Sequence, residues 1–183
     1  MKFENDLPFP RGKTACDGWV TPSADLYKDL AGRIYEVQDT VHGTGEMVQL
    51  RLVQASNAIT AAKKFMKFSV SSALDFGRVI SGVNDVQGGP CKPLDDAYPA
   101  GFVIPQYDYC YVVEKGPCSV LSSKSGINLT APAECVSSSA GLIHTAAPGA
   151  GEMVCGRIDA NVTVTNTAYV VHIDAGLSGG EGA

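Results

Sequence analysis

The sequence has no apolar run approaching the roughly 18 residues that a membrane-spanning helix requires, so no membrane partner is expected. A concentrated basic surface is missing too: the densest group of cations is Lys63, Lys64 and Lys67, and 19 acidic residues outweigh 14 basic ones. Neutralising a phosphate backbone takes clustered Lys and Arg, which sets nucleic acid aside as a partner. No Cys-x-x-Cys, His-x-x-x-His or calcium-loop pattern occurs. A structural zinc needs closely spaced soft ligands to close its tetrahedron, so no metal site is expected. Residues Gly43 to Val48 read GTGEMV and lack the Lys-Ser/Thr pair that would hold phosphate and magnesium, so no cofactor is expected either.

What is present describes a folded chain. At 183 residues it is long enough for one domain with a full core, or for a domain plus an arm, and 45% hydrophobic against 18% charged residues excludes global disorder. Twenty glycines and ten prolines favour many short elements over long helices.

The strongest strand logic lies in Tyr107 to Leu121, YDYCYVVEKGPCSVL. Tyr107, Tyr109, Tyr111 and Val113 share one face of an extended strand, with Asp108, Cys110 and Val112 on the other. Lys115, Gly116 and Pro117 have turn chemistry, so a hairpin is predicted with Cys118 to Leu121 as the return strand. In GRIYEVQD, Tyr35 and Val37 alternate with polar residues, and in MVQLRLVQ so do Val48, Leu50 and Leu52. The HGTGE between them predicts an antiparallel pair. A strand is expected from Phe65 onward, with Met66, Phe68 and Val70 on one side, and another short apolar run spans Phe76 to Val83. QGGPCKPLDDAYPAG then reads as a long loop. GINLT, ECVSS, GLIHT, EMVCGRI, NVTVT and AYVVHID follow, separated by turn residues. The fold class this predicts is mainly β, a barrel or sandwich of many short antiparallel strands with an extended N-terminal arm.

Three segments are expected: an arm over residues 1–22, a β-rich domain over 23–177 and a flexible tail over 178–183. Ser23 to Ala31 could open the domain with a short helix, Ser23 capping it and Gly32 just beyond its end. The arm carries Pro8, Pro10 and Pro22 with Phe3, Leu7, Phe9 and Trp19 among its charges. These apolar side chains need a surface: either their own domain or a neighbouring chain. As a partner-binding set, Phe3, Leu7, Phe9 and Trp19 are the candidate site.

Catalytic candidates are few. His42 lies beside a glycine turn, His144 near a strand end, and His172 should point away from the face that buries Val171 and Ile173. Each reads as a surface or turn histidine. A Ser/His/Asp constellation is spatial and not legible in sequence. Asp95 and Asp96 read as turn or solvated-face residues, with general acid/base work as the sharper alternative. No catalytic residue is assigned and no enzymatic activity is expected. The start, MKFENDLPFPRGK, has charge and proline where a signal peptide has an apolar region, so synthesis in the cytosol is expected. The six cysteines should then be mostly thiols, with Cys110 and Cys118 the first pair to check for a disulfide and the sequons at Asn128 and Asn161 unused. Gly43 to Val48 and Gly149 to Val154, GTGEMV and GAGEMV, are either two equivalent barrel corners or one strand entry used twice by chance.

Taken in order, GRIYEV leading into HGTGEMVQLR, ALDFGRVISG, KPLDDAYPAG, VEKGPCSV and AGEMVCGRID give the chain from about Gly32 to Leu177 a resemblance. It resembles the head decoration, or cement, proteins of tailed bacteriophages. That resemblance implies a β-rich, non-enzymatic virion protein, commonly trimeric, that sits on the capsid exterior, bridges major capsid protein subunits and stabilises the expanded shell. A tail or head-fibre component would share nearly every feature, and a β-barrel enzyme remains a third reading.

Overall fold

The computed structural model describes residues 7–15, 27–69, 78–81, 90–123, 133–137, 140–145, 154–164 and 166–174. Its strands in chain order are β1 (Ile34–Gln38), β2 (Met47–Ala55), β3 (Ile59–Thr60), β4 (Phe65–Phe68), β5 (Val79–Ser81) and β6 (Cys91–Pro93). There follow β7 (Val103–Ile104), β8 (Tyr109–Leu121), β9 (Ala133–Ser137), β10 (Ile143–Thr145), β11 (Val154–Ile158) and β12 (Ala168–Ile173). The mainly-β expectation holds. Of the predicted helix at Ser23 to Ala31, the described part is a three-residue 3₁₀ turn, Lys28–Leu30, and residues 23–26 lie outside the described set.

Nine strands run in the order β10-β9-β11-β12-β8-β2-β5-β4-β6, β1 adds to β2, and β3 pairs with β7 in a separate small sheet. Most pairings are antiparallel, but β2 and β5 run parallel. The β1–β2 pair forms as predicted, with Tyr35 opposite Leu50 and Val37 opposite Val48. Both flanks of the sheet return toward β8: Leu94, just past β6, bridges Val112 of β8, and Ile143 of β10 bridges Ser122, just past the end of β8. The result is a nearly closed, barrel-shaped sheet.

Strand β8 corrects the hairpin expectation. It runs unbroken for 13 residues through Lys115, Gly116 and Pro117. The register against β2 steps from Leu50↔Val113 to Gln49↔Lys115, so Glu114 is an inserted bulge residue. Gly116 supplies φ 109° at this corner, and a Cβ there would meet the Met47 carbonyl oxygen at 3.1 Å. Beyond the bulge β8 leaves β2 and pairs with β12, from Gly116↔Ile173 to Leu121↔Ala168. The turn chemistry of Lys115, Gly116 and Pro117 thus marks a bulge rather than the predicted reversal.

The bulge also exchanges faces. Before it, Tyr109, Tyr111 and Val113 enter the larger core with Val48, Leu50 and Leu52, while after it Cys118 and Val120 do. Cys110 and Val112 look the other way, into a second core with Val53, Met66, Phe68, Ile80 and Ile104. Strand β4 serves both cores, Phe65 in the first and Met66 and Phe68 in the second, so it is buried on two faces. Val70 lies outside the described residues. The predicted long loop from Gln87 to Gly101 contains β6, and Leu94, Asp95 and Tyr98 beyond it are buried.

Candidate functional site

The polar residues that the fold gathers meet around the 94–98 segment and the outer face of β8. From the N-terminal side comes Arg11. Its Nη2 and Nε donate to Asp95 Oδ1 and Oδ2 at 2.6 and 3.0 Å, a two-pronged pair whose side chains are almost fully buried. Burial pushes the Asp95 carboxyl above its ordinary range while Arg11 opposes the shift. The neighbouring backbone is equally tied. Tyr98 Oη donates to the Lys13 carbonyl at 2.8 Å, the Ala15 N–H reaches the Tyr109 carbonyl, and Gly12 at φ 71° lies so near Ala97 that a Cβ would fall 2.5 Å from its carbonyl oxygen.

The second contributor is the connection between β1 and β2. Asp39, 3% exposed, accepts the N–H groups of Val41 and His42 at 3.0 and 3.1 Å through Oδ1 and the Thr44 hydroxyl at 2.8 Å through Oδ2. Burial alone would raise this carboxyl, but the His42 N–H, the Thr44 hydroxyl and the Val41 N–H overcome it and hold it down at about 2. The turn so organised aims His42 inward. Its Nδ1 lies 3.3 Å from Asp39 Oδ1, and its Nε2 lies 3.0 Å from both Ser119 Oγ and Asp96 Oδ2. Asp96 Oδ2 also accepts the Ser119 N–H at 2.8 Å.

Asp39, His42 and Ser119 thereby stand in the order acid, imidazole, hydroxyl, which is the order of a hydrolytic triad. Asp96 changes what the arrangement does. The Asp96 carboxylate competes with Ser119 for Nε2, and a hydrogen on that nitrogen, which a facing carboxylate favours, leaves no lone pair there to draw a proton from the hydroxyl. The group therefore works as a clamp between the β1–β2 turn, the segment after β6, and β8. Arg11 Nη1 and Asp96 Oδ1 are buried without a partner among the described residues, and a recess of about 30 Å³ lined by Lys63, Asp95, Asp96 and Tyr98 lies alongside.

At the bulge a third group forms. Glu114 accepts Arg51 Nε at 2.7 Å and lies 3.8 Å from Lys92 Nζ, with Glu114 and Lys92 each 1% exposed. Lys92 also donates to the carbonyls of Glu114 and Asp174, at 3.1 and 2.7 Å. Burial lowers the Lys92 ammonium from its ordinary value, with Glu114 opposing.

The candidate partner-binding residues fare differently from one another. Phe9 is buried in the larger core, its ring 4.6 Å from that of Tyr111, whose hydroxyl donates to the Phe9 carbonyl at 2.9 Å. Leu7 packs against the same core. In this fold both rest on their own domain, and Phe3 and Trp19 lie outside the described residues. Of the turn or solvated-face reading of Asp95 and Asp96 the solvated part is corrected, since their side chains are buried against Arg11 and His42, while Asp96 does stand in a turn. His42 is a turn histidine, as one of its two readings had it, with its side chain clamped rather than at the surface. His144 is exposed, and His172 points away from the buried face of β12 as expected. Sequence reasoning did not single out Arg11, Asp39, Ser119 or Glu114 for these roles. Only Asp39 carried a local signal, an aspartate opening a glycine-rich turn.

No protein-family model matches the chain, and no curated protein matches it. Among solved structures it is similar to the head fibre gp8.5 N base in bacteriophage phi29, with a TM-score of 0.38 and 12% sequence identity over 70% of this chain and 95% of that one.

Proposed function

We propose that this chain is a structural protein of a phage virion that decorates the outside of the capsid, binds major capsid protein subunits across their junctions and stiffens the shell, acting as a homotrimer. The observation that carries this reading is the interior bracing. Two cores share one long strand, and the ion pairs Arg11–Asp95 and Arg51–Glu114 together with the His42–Asp96 contact tie the N-terminal segment, the bulge and the β1–β2 turn to that strand's surroundings. Removing one partner of such a buried pair leaves an uncompensated charge and is strongly destabilising, so each pair holds its two segments to one arrangement, as a domain bridging shell subunits requires. The ordered run of segments from Gly32 to Leu177 that resembles decoration proteins supports the same reading.

Attachment then draws on Phe3 and Trp19, while Leu7 and Phe9 anchor the segment between them on its own domain. The test is co-sedimentation of the purified protein with expanded heads of its own phage that lack it. Saturable binding at a stoichiometry set by the capsid lattice is expected, weakened by Trp19→Ala. Failure to bind expanded heads overturns the reading.

One observation favours a second reading, a hydrolase: the Asp39, His42, Ser119 alignment. A fluorophosphonate probe decides it. Labelling of Ser119 that His42→Ala abolishes would establish a nucleophile, and an unlabelled chain is the expected result.

A further inference from the structure

Cys91 of β6 and Cys155 of β11 bring their sulfurs to 3.2 Å, although 64 residues separate them in the chain. Both are buried, at 1% and 3% exposure, in the larger core, and neither is in a disulfide. Their place in the fold is what matters. β6 ends the sheet on one side, and in the pairing order five strands stand between it and β11. The sulfurs therefore meet at the seam where the curled sheet approaches itself, and β6 and β11 share no strand pairing among the described residues. Lys92, the next residue of β6, crosses the same seam by its hydrogen bond to the Asp174 carbonyl just after β12. Cys110 and Cys118 make an instructive contrast. They occupy one extended strand eight residues apart, roughly 26 Å at the rise of a strand, so the pair that their flanking of a turn suggested cannot form.

We propose that Cys91 and Cys155 form a latent disulfide that, on oxidation, staples the seam and locks the sheet closed. The oxidant is a small disulfide of the glutathione type. One protein thiolate attacks it and releases one small thiol, and the second protein thiolate then displaces the other. The protein gives up two electrons and two protons, and the small disulfide becomes two thiols. Bringing 3.2 Å to a bonded sulfur distance needs an approach of about 1.2 Å, within the adjustment two cysteine rotamers allow. Because both sulfurs are buried, exchange proceeds through transient opening of the seam and is slow compared with an exposed thiol. The inference follows from this fold and stands apart from the shell reading.

The experiment uses the full chain, folded and reduced, then incubated with oxidised glutathione at mildly alkaline pH, alkylated and mapped by peptide mass spectrometry without reduction. A Cys91–Cys155 linked peptide is expected as the dominant product. The thermal midpoint should rise by roughly 10 °C, as cross-linking a loop of this length restricts the unfolded chain, and should fall back on adding dithiothreitol. Cys155→Ala should abolish the link and the shift. The wild-type mapping stands even if that variant folds poorly. Finding both cysteines still alkylated as thiols after prolonged oxidation, or a different linked pair dominating, overturns the proposal. A Cys91–Cys155 link that leaves the midpoint unchanged or lower also overturns it.

Discussion

From Tyr109 to Val113, β8 is buried on both faces by apolar neighbours, while from Gly116 to Leu121 it offers Cys118 and Val120 to one core and presents Ser119 to the His42 and Asp96 clamp. The same strand is thus an apolar partition in its first half and a polar mooring in its second. Glu114 lies between them, and its insertion is what turns the face. The difference suggests that the first half is bound by packing and the second by directed hydrogen bonds, so damage to each should read out differently.

The largest effect is expected at the junction itself. Glu114→Ala leaves Arg51 and Lys92 without their buried counter-charge and should lower the unfolding free energy by about 3–5 kcal/mol, measured by urea denaturation. A loss below about 1 kcal/mol would mean that the bulge tolerates an unpaired Lys92 and that the two halves are not joined through it. Next comes the first half. Phe9→Ala opens a cavity against Tyr111 and should cost about 3 kcal/mol by the same measurement, as a large aromatic truncated in a core does.

The second half should be more forgiving. Ser119→Ala removes one hydrogen bond from His42 Nε2 but leaves Asp96 at that nitrogen, so a loss of about 1 kcal/mol is expected. If Ser119→Ala costs as much as Phe9→Ala, the contrast between packing and hydrogen bonding along β8 fails. The smallest effect concerns acid. Asp39 is held at about 2 in the folded chain, below the ordinary carboxylate value, so as pH falls the unfolded chain takes up this proton first. Its contribution is fully present above roughly pH 4 and disappears as pH falls through about 2. The thermal midpoint of Asp39→Asn should therefore fall less between pH 5 and pH 2.5 than that of the unaltered chain.

Local patterns carried the parts of the fold that local physics decides. The alternation in Val48, Leu50 and Leu52, the glycine turn before it, and the alternation in Val171, His172 and Ile173 all read correctly because each strand has one apolar face. Reading failed where an inserted residue broke the period. Glu114 shifts the alternation by one, and with Gly116 and Pro117 beside it the break looks the same as a reversal. It failed again where burial came from afar. Asp95, Asp96 and His42 have polar side chains and turn-like neighbours, and their partners Arg11 and Ser119 come from segments far away in the chain. The parallel pairing of β2 with β5 left no mark in either strand.

The stitching of residues 9–15 to the 94–111 region has a consequence during synthesis. Phe9 and Tyr111 are 102 positions apart, so at about 5–20 residues per second the ribosome delivers the tyrosine roughly 5–20 s after the phenylalanine. Through that interval the emerging chain carries Phe9 without the strand that receives it. Nascent chains that stop before β8 should recruit holdase chaperones to residues 7–15 and release them once β8 has cleared the exit tunnel. The order of translation thus leaves Phe9 waiting for a partner made about a hundred positions after it.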